Sequence, residues 1–190
     1  MDGYKIRVIL DNVDITTART VLLPRNISFK TLHEIICILF NLDKNKKYKF
    51  PFEDIGLIIQ DTGSLNRDRI DSRFEIVDEY FLAYSEIKYL NSFWNLRIII
   101  NHVKYEKKYP EIISIEGKYN PSNEIFWPED FSDALNLKVN EKIHNEKLLK
   151  RVKIQDIQEH LLLLFKIPYA IENKKIIIIN QESILDNYFN

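Results

Sequence analysis

The chain has 190 residues, 45% of them hydrophobic and 29% charged, and its 27 Lys and Arg nearly balance 28 Asp and Glu for a formal net charge of -1. That length fills one core or two small ones, the composition argues against disorder, and the balanced charge gives no global field to draw the protein to nucleic acid or a membrane. The single cysteine, Cys37, excludes an internal disulfide and a thiolate cluster for a structural metal, which fits a reducing, cytoplasmic setting. The opening MDGYKIRVIL lacks the long apolar segment of a signal peptide, and no stretch approaches the about 20 apolar residues of a spanning helix.

Tyr4 to Leu10 alternates apolar with basic residues, the pattern of a half-buried strand. Asp11 to Thr17 turns the chain into a second strand, Ala18 to Leu23, closed by Pro24, which has no amide hydrogen to continue a ladder. Ser28 stands where an N-cap belongs. Phe29, Leu32, Ile36 and Leu39 then repeat at helical spacing, and Ile35 and Phe40 widen the stripe, so a sheet or second helix must cover it. Arg19 to Leu42 is therefore the unit on which the remainder packs, and Cys37 within it reads as a buried, inert thiol.

A polar turn over Asp43 to Lys47 leads to Tyr48, Phe50 and Phe52, and Ile55 to Gln60 reads as a strand. Asn66 to Arg73 mixes both charges and reads as a solvated loop, followed by a short helical turn around Val77 to Phe81. Glu86 to Tyr89 and Trp94 to Val103 form a hairpin bent near Asn91 and Ser92, and Tyr109 to Ile115 adds a strand. Trp127 and Pro128 open a helix ending by Leu135, with Glu129 and Asp130 at its positive end. The fold class expected is α+β, a mainly antiparallel sheet packed on one principal helix.

Residues 138–190 differ in texture. Lys138, Lys142, Lys147, Lys150, Arg151 and Lys153 are set against only Glu141 and Glu146. Ile154, Ile157, Leu161 and Leu164 mark a second amphipathic helix stopped by Pro168, and Tyr169 to Ile171 pairs with Ile176 to Ile179. The expected organisation is a domain over residues 1–137 with a helix-and-hairpin extension over 138–190 packed on it. Aligning Ile27 to Leu42 on Val152 to Ile167 matches Glu34 with Glu159, Leu39 with Leu164 and Phe40 with Phe165, which a shared helical period explains without an internal repeat.

The stretch RTVLLPRNISFKTLHEIICILFNL, followed by Tyr48 and Phe50, resembles the N-terminal signature of the plasmid pRiA4b open-reading-frame-three-like family, through Arg19, Leu23, Pro24, Ile27, Leu32, His33 and Glu34. Two later family blocks are eroded. Its Asp-Phe-Gly-Asp-x-Trp segment falls on YLNSFW, where Trp94 survives, and its Tyr-Pro-Arg-Cys segment falls on Tyr109 to Ile112 without the cysteine. Its Pro-Pro-Glu-Asp turn falls on Pro121 to Glu124, so the resemblance runs from about Tyr4 to Leu135. It implies a compact α+β domain of mobile-element background with no established activity.

His33 to Cys37, HEIIC, differs from the zinc-protease helix signature in having a thiol where the second histidine belongs, and His102, His144 and His160 supply no supporting spacing. A metal-dependent enzyme is accordingly the weakest alternative. The acidic pairs Asp68 with Asp71 and Asp78 with Glu79 lie among basic residues and read as solvated charge. Neither a phosphate-cradling glycine loop nor a nucleophile elbow occurs, so no residue is assigned a catalytic, cofactor-binding or metal-ligating role. Aromatic residues gather near the hairpin, and Tyr84, Tyr89, Phe93 and Trp94 are the candidate groove for a protein or peptide, in a non-enzymatic binding or accessory module. The alternative is a DNA-binding accessory protein that sets Lys147, Lys150, Arg151, Lys153, Lys174 and Lys175 on phosphates, in an arrangement imitating a winged helix-turn-helix.

Overall fold

A computed structural model describes residues 2–61, 68–121, 125, 127–139, 149–173 and 175–179. Strands β1 (Asp2–Leu10) and β2 (Ala18–Leu23) lead into helix α1 (Phe29–Phe40), and β3 (Tyr48–Phe52), β4 (Leu57–Gln60) and β5 (Arg69–Asp71) follow. Helix α2 (Asp78–Ala83) precedes the hairpin of β6 (Glu86–Asn91) and β7 (Trp94–Lys104), then β8 (Glu111–Glu116) and β9 (Tyr119–Pro121). Helix α3 (Pro128–Val139), β10 (Leu149–Arg151), helix α4 (Ile154–Leu164), β11 (Tyr169–Glu172) and β12 (Lys175–Ile178) complete the order.

Eight strands form one sheet in the order β5-β4-β3-β6-β7-β1-β2-β8. All its pairings are antiparallel except β4 with β5. The alternation read in β1 sends Tyr4, Ile6, Val8 and Leu10 into the core, where Phe50, Tyr89, Leu96 and Ile98 join them. Lys5, Lys49 and Lys88 stay exposed, while Arg7 and Arg97 stand half-exposed and pair with Glu116 and Asp11. The expected α+β class is what the chain forms.

Helix α1 starts where its chemistry dictates: Ser28 Oγ accepts from the Thr31 amide at 3.1 Å. It ends at Asn41, whose left-handed φ of 55° lets its N–H return to the Cys37 carbonyl. Phe29, Leu32, Ile35, Ile36, Leu39 and Phe40 are all essentially inaccessible, a wider arc than a stripe against one sheet needs, because α4 also packs on α1. Helix α4 in turn guards the sheet edge. The Gln158 amide accepts from the Ile112 N–H and donates to the Pro110 carbonyl, both at 3.0 Å, so it imitates a further strand beside β8.

Among the described residues, Arg19 is the largest fully buried side chain. Its guanidinium donates to the carbonyls of Ala18, Leu39, Glu116 and Tyr119 and to Asn120 Oδ1, with no carboxylate among these acceptors. It thereby ties the last turn of α1, where carbonyls are unsatisfied, to the β8–β9 connection. Desolvation lowers its pKa to about 10, which still leaves it charged.

Two expectations are corrected. The span Asn66 to Arg73 is not simply a loop: Asn66 and Arg67 lie outside the described residues, but Arg69–Asp71 forms β5 beside β4. Nor are all four acids of the pairs Asp68 with Asp71 and Asp78 with Glu79 solvated. Asp71 and Asp78 are buried, each because local donors surround it, whereas Asp68 and Glu79 are exposed. Asp71 takes the backbone N–H and guanidinium of Arg73, and Asp78 takes the Tyr4 hydroxyl, the Asn26 N–H and Arg25.

Candidate functional site

The polar end of the core is organised by His33, which α1 presents toward β3 and β6. Its ring is buried and stacked on Tyr48, with centroids 3.6 Å apart and planes 7° from parallel. Nε2 lies 3.0 Å from the Lys44 carbonyl and Nδ1 lies 2.8 Å from Tyr89 Oη. A carbonyl can only accept, so Nε2 carries the proton and Nδ1 accepts from the Tyr89 hydroxyl. Tyr89 Oη then accepts from Asn91 Nδ2 at 2.9 Å. Every member of this chain of bonds has one consistent direction.

Cys37 sits one turn on from His33, its Sγ 3.7 Å from Nδ1 and 3.9 Å from Tyr89 Oη. Burial lowers the His33 pKa to about 4, against a smaller opposing effect of the Lys44 carbonyl, and pushes the Cys37 thiol up to about 12. Burial also lifts the Tyr89 phenol well above its usual range. At neutral pH the cluster is therefore uncharged. Imidazole and thiol act here as a hydrogen-bonded core, and both ring nitrogens are engaged by the protein itself.

What the cluster supports is the loop from Asn41 to Lys47. His33 holds the Lys44 carbonyl, the Asp43 carboxylate accepts from the Asn45 N–H, and the Lys47 carbonyl accepts from the Ser92 N–H. Asn41 spans outward, donating to the Pro121 carbonyl and accepting from Lys150 Nζ. A cavity of 480 Å³ opens on one side of this loop, walled by residues 41–46, the β6–β7 turn Asn91–Trp94, Pro121 and Ile125. On the other side a cavity of 410 Å³ lies toward α4, with Glu34, Cys37, Ile38, Lys150, His160 and Leu164 in its lining. Asn41, Leu42 and Lys44 border both.

The four residues of the expected groove are not assembled into one surface. Phe93 and Trp94 line the larger cavity, Phe93 being 48% exposed and Trp94 6%. Tyr89 lies beneath them, wholly buried in the His33 cluster. Tyr84 stands at the opposite end of β3, its ring against Phe52 and its hydroxyl donating to Asp54. Of the basic residues, Lys150 borders the smaller cavity, Arg151 is exposed on β10, Lys153 is exposed at the start of α4 and Lys175 is exposed on β12. Lys147 and Lys174 lie outside the described residues.

Sequence reasoning missed Trp127. It is 49% exposed and its ring meets Phe93, which lines the larger cavity, at 3.8 Å between centroids. The signal available was an indole just before a helix-opening proline, which says nothing of a partner on a distant turn. The cavity-lining lysines Lys44 and Lys46 were also passed over as ordinary turn charge.

A family model described as "Plasmid pRiA4b ORF-3-like protein" matches residues 2–158, so the match extends past β10 into α4. No curated protein matches the chain. Among solved structures, the crystal structure of a protein of unknown function, MM3350 from Methanosarcina mazei Go1, superposes with a TM-score of 0.63 at 16% identity. The superposition covers 82% of this chain and 96% of that one, a likeness of fold.

Proposed function

The chain belongs to the plasmid pRiA4b ORF-3-like family, and from that starting point we propose that it is a non-enzymatic binding module, of mobile-element type, which holds a protein or peptide segment at the β6–β7 turn. One observation carries this reading: the 480 Å³ cavity lined by Phe93, whose ring is tilted against that of Trp127, both half-exposed. Exposed aromatic rings beside a hollow are the usual anchors of a protein interface, since they bury large area at little entropic cost. The wall opposite them is fixed by the His33 network, so the hollow exists before a partner arrives. Both ring nitrogens of His33 are taken up by the Lys44 carbonyl and the Tyr89 hydroxyl, and burial keeps Cys37 a thiol rather than a thiolate, which favours binding over chemistry.

Selection of a random phage-displayed peptide library on the immobilised protein tests the reading. Enriched peptides should bind the soluble protein and change its tryptophan fluorescence. Phe93→Ala and Trp127→Ala should each weaken that binding by about tenfold or more, the magnitude of an interface anchor. Absence of enrichment, or binding indifferent to both substitutions, defeats the proposal.

A further inference from the structure

We infer that the two cavities flanking the Asn41–Lys47 loop take one occupant, an acidic peptide segment carrying large apolar side chains; this rests on the binding-module reading above and names its partner class. The cavities share Asn41, Leu42 and Lys44, so a segment crossing the loop reaches both. Each has an apolar part: Phe93 and Trp94 with Leu42 on one side, Ile38 and Leu164 with Leu42 on the other. Apolar side chains entering them would be released from water, which supplies affinity without direction.

Direction comes from charge. Lys44, Lys46 and Lys47 on the loop and Lys150 from β10 are exposed, and none is in an ion pair among the described residues. The acids on the same surface are Glu34 and Asp43, and Asp43 already accepts from the Asn45 N–H. Lining the two cavities, Lys44, Lys46 and Lys150 against Glu34 and Asp43 leave a local excess of one positive charge, with Lys47 adjoining, on a chain whose net charge is -1. Such a patch steers carboxylates and disfavours basic segments.

A nucleic acid fits this face less well. A phosphate backbone offers nothing to fill hollows with apolar walls. A peptide with carboxylates flanking an aromatic or branched residue answers both features at once.

The test extends the same selection. Peptides enriched on the full chain are sequenced, and their binding is measured at low and high salt for the wild type, Lys44→Glu/Lys46→Glu and Phe93→Ala. All three substituted residues are exposed, and melting curves verify that the variants fold. The expected result is peptides with two or more acids around an apolar residue, salt-sensitive binding, and a loss of about tenfold or more in the charge-reversed variant. Neutral or basic peptides whose binding survives Lys44→Glu/Lys46→Glu but fails in Phe93→Ala overturn the acidic partner and leave the binding-module reading standing. No enrichment overturns both. A 20-base-pair duplex that displaces the peptides and loses affinity in Lys44→Glu/Lys46→Glu assigns the lysines to nucleic acid and overturns the acidic peptide.

Discussion

Protonation of His33 gives the network a measurable signature. In the unfolded chain a histidine titrates near pH 6.5, whereas burial lowers His33 to about 4 in the folded protein. The unfolded state therefore takes up a proton first as pH falls. Stability from this group is complete above pH 6.5 and is lost progressively toward pH 4. Between pH 7 and pH 5, before most carboxylates titrate, the linkage amounts to about 2 kcal/mol, and over the full window about 3 kcal/mol. For a chain of this length the smaller figure lowers the melting temperature by roughly 5 °C. The geometry explains why relaxation does not erase the effect: an Nδ1 proton would face the Tyr89 hydroxyl, which now donates, and turning that hydroxyl would oppose it to Asn91 Nδ2. Calorimetric melts of wild type and His33→Gln from pH 7 to pH 5 check it. The wild type should lose about 2 kcal/mol more than the variant across that range. Parallel profiles would refute the buried, neutral assignment.

Other consequences follow from single side chains. Arg19→Met removes donors from four carbonyls and Asn120 Oδ1, and should cost about 3 kcal/mol in urea denaturation, since buried acceptors left unpaired outweigh the relief of a buried charge. Gly3→Ala would put a Cβ at 2.6 Å from the Leu23 carbonyl oxygen and 2.8 Å from Tyr105 Cβ, so it should destabilise by about 1–3 kcal/mol on thermal melting despite lying in a regular strand. Ser28→Ala should cost about 1 kcal/mol by loss of the α1 cap, measured in the same way. Gln158→Leu should speed hydrogen exchange at the Ile112 amide selectively, because that amide loses its acceptor while β8 keeps its pairing to β2.

The backbone of this fold was legible where period and punctuation agree. The alternation of Tyr4 to Leu10, the Pro24 stop and the Ser28 cap placed β1, β2 and α1 closely, because each signal is local. Asp71 and Asp78 defeated the same reasoning. Asp78, flanked by charges, looks solvated until the fold brings Arg25 and Tyr4 around it, and Asp71 is buried beside its near neighbour Arg73 only where β5 joins β4. At the site, Phe93 and Trp94 were found from local aromatic density, yet Tyr84, equally close in sequence, lies at the other end of β3. Trp127 meets Phe93, and the loop lysines meet the β6–β7 turn, only through long-range packing, which no short window contains. HEIIC was noticed for chemistry, and its role in the structure is to fix a loop.

The most direct test of the binding-face account is amide chemical-shift mapping with an enriched peptide added to isotope-labelled protein. The account predicts shifts concentrated at Asn41–Lys47, Asn91–Trp94 and Trp127, together with the Trp127 indole resonance. Shifts confined to the β11–β12 hairpin or the exposed face of the sheet, with Asn41–Lys47 and Asn91–Trp94 unmoved, would contradict it.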